Sequence, residues 1–116
     1  MRINFWMLVL LLSGCATPEE FIQAPPDAQQ TLALPPEQAA LCITRNIERK
    51  GSGFIVDRRP MTGGWEFIAK ITGEVTTVYA VGHLRNAKQG SEATIWVAEH
   101  IFESKANVVA GLVKGC

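Results

Sequence analysis

The chain has 116 residues, 47% of them hydrophobic, with eleven basic and eleven acidic side chains and no net charge. That balance excludes the basic footprint of a nucleic-acid binder and the polybasic patch of an electrostatic membrane binder. The length allows one modest core, not several domains.

The first predicted element is not part of that core. Arg2 precedes an apolar run from Ile3 to Leu12, broken by Asn4, and Leu12-Ser13-Gly14-Cys15 follows. A basic start, a short apolar run and small residues make a secretory signal. Ten residues rise about 15 Å as a helix, half of a bilayer core of about 30 Å. The segment is too short to span, and it has no polar face for a core helix.

Leu12-Ser13-Gly14-Cys15 resembles the lipobox of bacterial lipoproteins. The resemblance implies that a diacylglycerol is attached to the Cys15 thiol and that the chain is cut before it. No other cofactor is expected. Each buried methylene contributes about 0.8 kcal/mol, and two acyl chains suffice for stable anchoring. Ala16, rather than Asp, follows Cys15. By the enterobacterial sorting rule this implies the periplasmic face of the outer membrane. Residues 1–14 are thus read as a signal peptide.

Residues 15–35 carry Pro18, Pro25, Pro26 and Pro35 without a hydrophobic period. They read as a lipidated cysteine and an extended tether, reaching roughly 60 Å at about 3.1 Å per residue. Phe21 and Ile22 are the residues in it that a domain surface would bind.

Residues 36–116 read as one globular α+β domain. A helix is predicted from Pro36 to about Lys50, with Ala39, Ala40, Ile43 and Ile47 at helical spacing and Gly51 as its stop. Phe54 to Asp57 reads as a short strand or a connection, interrupted by Arg58-Arg59-Pro60. Trp65 to Thr72 alternates, with Trp65, Phe67, Ala69 and Ile71 on one face. Gly73 predicts a tight hairpin. In the strand from Glu74 to Leu84, Val75, Thr77, Tyr79 and Val81 are expected to share a face. Glu92 to Phe102 is the next strand, with Ile95, Val97 and Ile101 on one side and Trp96 on the other. Ser104 suits an N-cap ahead of Val108, Val109, Leu112 and Val113, and Gly115 suits a stop. The expectation is a two-layer domain. An antiparallel sheet of three or four strands carries an N-terminal and a C-terminal helix on one face.

With Cys15 lipidated, Cys42 and Cys116 remain. An even pair in an oxidising compartment predicts a disulfide. Cys42-Ile43-Thr44-Arg45-Asn46, taken with Gly115-Cys116, is similar to small uncharacterised lipoproteins of proteobacteria. That resemblance brings no activity with it.

No catalytic set is apparent. His83 and His100 are the two histidines; neither sits in a metal-binding spacing, both read as ordinary partly exposed histidines, and the acids read as solvated faces. The serines fall in turns and a cap, outside any Gly-x-Ser-x-Gly elbow. Trp65, Trp96 and Tyr79 read as core or half-buried sheet residues. The one charge concentration is Arg45, Arg49, Lys50, Arg58 and Arg59, which reads first as a solvated helix face plus a turn and otherwise as a candidate contact for anionic groups of the envelope. The expected protein is a non-catalytic interaction module. It is held to a membrane by lipid and binds an envelope protein or polymer, not nucleic acid. The alternative is a small periplasmic enzyme or ligand carrier, which requires His83 or His100 beside a carboxylate in a concave pocket.

Overall fold

The alternation along residues 65–71 is realised as an inner strand of a five-stranded sheet. A computed structural model describes residues 17–99 and 103–116. The chain runs through α1 (Pro18–Gln23), β1 (Ala28–Leu32), α2 (Pro36–Glu48), β2 (Phe54–Met61), β3 (Gly64–Ile71), β4 (Thr77–Asn86), β5 (Ser91–Val97) and α3 (Lys105–Val113). The strands lie antiparallel in the order β1-β5-β4-β3-β2. Cys15 and the signal segment lie outside the described residues, as do His100 and Ile101.

Side chains alternate across a strand, so each sheet face takes every second residue. One face carries Phe67, Ala69, Ala80, Leu84, Ala93, Ile95 and Val97, all buried. They form one core with Ala39, Ala40, Ile43 and Ile47 of α2 and Val108, Val109 and Leu112 of α3. Both helices therefore share a sheet face, as their apolar stripes require. Ile43 and Ile47 are wholly buried, and each contributes about 1.5–3 kcal/mol by leaving water. Ser104 caps α3 by accepting from the Asn107 amide.

Three expectations are corrected. The sheet has five strands, because residues read as tether supply β1. Ala28 lies opposite Ile95, and Leu32 opposite Ser91 with its side chain buried. Without β1, the apolar β5 would be an open edge. The extended tether of residues 15–35 is therefore not what residues 18–35 form. Phe21 packs on the second sheet face against Ile68, Val81 and Trp96. Trp96 Nε1 donates to the Ala24 carbonyl at 2.8 Å. Asp27 accepts from the Val97 amide at 2.7 Å and from Lys105 Nζ at 3.2 Å.

The second correction is β2, an eight-residue strand that continues through Pro60. The Thr72 amide donates to the Gly53 carbonyl, which sets the ladder's phase. In that phase Ile55, Asp57, Arg59 and Met61 bond to β3, while Val56, Arg58 and Pro60 turn their backbone outward. Pro60, lacking an N–H, is tolerated because its nitrogen faces no partner.

The third concerns β4. Register slips between Ala69 and Lys70, so Ala69 faces Ala80 while Lys70 faces Val78. Tyr79 is the extra residue of a bulge and joins the helix-side core, edge-on to Phe54 at 5.2 Å between ring centroids. Val81 falls on the other face with Trp96. The expected sharing of a face by Tyr79 and Val81 fails for this reason. The β3–β4 link is residues 72–76, longer than the tight hairpin expected at Gly73.

Cys42 and Cys116 form the predicted disulfide, with Cα atoms 5.8 Å apart and a sequence separation of 74. It ties the middle of α2 to the residues after α3. In the chain-entropy account a loop of this size contributes about 4.5 kcal/mol.

Candidate functional site

Two arrangements of polar side chains stand out. The first is a row across the second sheet face. Register places Arg59 opposite Glu66, Glu66 opposite His83, His83 opposite Thr94 and Thr94 opposite Gln29. One polar residue from every strand thus lines up beside the apolar row of Ile68, Val81 and Trp96. Glu66 and His83 are both 7% exposed. Buried charge requires partners, and Glu66 has two. Its Oε1 accepts from Arg59 Nε at 2.5 Å, and its Oε2 accepts from His83 Nε2 at 2.7 Å. The His83 ring meets Trp96 edge-on at 5.1 Å. With Nε2 donating to Glu66, Nδ1 is the remaining ring nitrogen, and it is buried with no partner among the described residues.

An acid–histidine pair is two-thirds of a nucleophilic triad. The third part would be a hydroxyl or thiol hydrogen-bonded to Nδ1, and among the described residues that nitrogen bonds to none. The sequence reading took His83 as a partly exposed histidine and the acids as solvated. Both views are corrected for His83 and Glu66. The signal was present in the strand phase, since Glu66 and His83 lie one strand apart in the register that Trp65–Ile71 imposes. It was missed because the offset of β4 depends on the bulge.

The second arrangement is a groove of about 440 Å³ beside the disulfide. Gln38, Leu41, Arg45 and Arg49 recur at helical spacing on the outer face of α2, opposite the buried Ala39, Ala40, Ile43 and Ile47. Leu34 and Lys114 complete the walls. Asn46 fixes the floor. Its side-chain amide donates to the carbonyls of Leu112 and Lys114, each at 2.9 Å, and reaches Cys116 Sγ at 3.5 Å. The Leu34 amide donates to the Cys116 main-chain oxygen at 3.0 Å. The sequence motif pairing Cys42–Asn46 with Gly115-Cys116 is thus one physical junction.

The four arginines singled out from sequence do not converge. Arg45 and Arg49 line this groove. Arg58, on β2, borders a small hollow with Glu37 and Trp65, and Arg59 is committed to Glu66. Lys50 leaves the cluster too, pairing with Glu103 at 3.6 Å and lying over the Tyr79 ring at 5.8 Å. Among the described residues no three His, Cys, Asp or Glu side chains gather to hold a metal ion.

Comparison with protein-family models, with curated proteins and with solved structures finds no match to this chain.

Proposed function

We propose that this chain is a lipid-anchored envelope protein of the periplasmic face of the outer membrane, acting as a non-catalytic binding module. The observation that carries the reading is the four-residue Leu12-Ser13-Gly14-Cys15 box behind an apolar signal. The Cys42–Cys116 disulfide supports it independently, since such bonds persist in oxidising compartments and are rare in the cytosol. Attachment in this reading is through Cys15; among the described residues no helix is long and apolar enough to cross a membrane. Pro18 already belongs to α1. Only Ala16 and Thr17 then lie between Cys15 and α1, a reach of about 10 Å at most. The domain is held close to the bilayer, not swung on a long leash.

The test is fatty-acid labelling of the native protein and of Cys15→Ser. Label on the native chain that disappears in the variant supports the anchor. Label that persists in Cys15→Ser, or a native chain starting at Met1 without fatty acid, refutes it.

A second reading, a small periplasmic enzyme or ligand carrier, is favoured by one observation, the bare Nδ1 of His83 beside the Glu66 carboxylate. It requires a substrate to reach a nitrogen that the fold buries. Its test is acetylation of His83 by an activated ester in the folded protein. No reaction before unfolding would count against it.

A further inference from the structure

We propose that the groove between α2 and the end of α3 docks a wall polymer that carries short peptides with free carboxylates. This rests on the envelope reading above and names the partner.

Electrostatics give the charge of the occupant. Arg45 and Arg49 sit one helical turn apart, a like-charge spacing that destabilises a helix by a few tenths of a kcal/mol. Ion pairs among the described residues join Lys50 to Glu103, Arg59 to Glu66, Lys70 to Asp57, and Lys105 to Asp27. None involves Arg45, Arg49 or Lys114. No carboxylate side chain lines the groove, and Glu37 and Glu48 of α2 lie off its walls. Three cations therefore share one concavity, and no Asp or Glu side chain among the described residues pairs with them. Planar guanidinium forks match carboxylates in two-point contacts.

The apolar part narrows the choice. Leu41 is 36% exposed, and with Leu34 it flanks the cations. A peptide of small residues ending in a carboxylate offers methyl groups to the leucines and an oxyanion to the arginines. The walls are held in place beforehand. The disulfide crosses beneath them, and Asn46 bonds the last turn of α3 to α2. Such preorganisation reduces the entropy lost on binding.

Direction separates a wall polymer from lipid headgroups. Residues 17–23 enter the fold on the sheet face carrying Ile68, Val81 and Trp96. The groove belongs to the outer side of the helix layer on the opposite face. Lipid on Cys15 therefore places the bilayer beside one face while the groove opens from the other.

The experiment is co-sedimentation of the purified full-length mature protein, in detergent, with isolated cell-wall sacculi. A second arm uses sacculi whose carboxylates have been amidated. A third measures association with phosphatidylethanolamine–phosphatidylglycerol vesicles. The expected result is binding to native sacculi that amidation abolishes. Arg45→Gln with Arg49→Gln weakens it roughly tenfold or more, the loss of at least one charge-assisted contact, with vesicle association and melting temperature unchanged. Lys114→Gln, at a separate position in the fold, weakens it in the same sense. Sacculus binding that survives amidation or these substitutions overturns the proposal. So does a double variant that loses vesicle association instead, which would make the occupant a lipid headgroup. The assay scores the purified chain whatever its N-terminus carries, so a failed anchor and a failed groove give different results.

Discussion

Glu66 and His83 face each other across β3 and β4 with 2.7 Å between Oε2 and Nε2, and both are almost wholly buried. The carboxylate is shared with Arg59, whose side chain is 65% exposed. Removing the shared acceptor strands the histidine, whereas removing Arg59 leaves the His83 bond intact. Glu66→Ala is therefore expected to destabilise the domain by about 3 kcal/mol, at the lower end for breaking a buried pair. Arg59→Ala should cost about 1 kcal/mol or less, because solvent screens that partner. Arg58→Ala should cost less still. Urea melts of the three variants check this order. Equal effects of Glu66→Ala and Arg58→Ala would contradict the row.

Gly82 and Gly111 give opposite signs on gaining a methyl. A Cβ at Gly82 would lie 2.0 Å from Phe67 Cε1, inside the core. Overpacking of this kind costs about 1–3 kcal/mol. At Gly111, within α3, a Cβ meets nothing within 4 Å. Gly111→Ala should stabilise by about 0.4–1 kcal/mol through helix propensity and a less disordered unfolded chain. Thermal melts of Gly82→Ala and Gly111→Ala should move in opposite directions.

Pro60 withholds a donor from the open side of β2. Edge strands are templates for pairing with other chains, and proline blunts them. Pro60→Thr restores an outward N–H beside those of Val56 and Arg58. The fold should survive while concentration-dependent self-association rises. Sedimentation velocity over a concentration series reads this directly.

Tyr79 is the single tyrosine, so phenolate absorbance reports it alone. Burial raises its pKa above 10.0. The Lys50 ammonium opposes that shift, and Glu103 adds to it. The folded state thus holds the proton more tightly than the unfolded one. The stability that burial of the neutral phenol carries is fully present below the unfolded value and is lost as pH rises through the folded one. A spectroscopic titration should give a midpoint above 10.0 in the native protein, and Lys50→Gln should push it higher.

Much of the fold was legible because it rests on local periodicity. Ala39, Ala40, Ile43 and Ile47 mark α2, and Trp65, Phe67, Ala69 and Ile71 mark one face of β3. Ser104 and the last apolar stripe mark α3. What was not legible depends on partners remote in sequence. β1 is Ala-Gln-Gln-Thr-Leu, whose composition says little. It is a strand because β5 offers it a ladder. Pro60 in β2 reads as a breaker until its edge position is known. The Tyr79 bulge turns an even alternation into two faces, and with it goes the meeting of Glu66 and His83. Arg45 and Arg49 were legible as a pair, but Lys114 joins them only through the junction made by Asn46.

The order of the strands sets when this chain can finish folding. Ala28 waits for Ile95, and Cys42 waits for Cys116. The hairpins of β2, β3 and β4 close locally, while both ends of the structure close late and across long loops. Distant contacts of this kind slow folding, since loop-closure entropy is spent before they form. A fragment that stops short of β5 has no strand on which β1 can dock, and so stays unfinished until the last quarter of the chain is present.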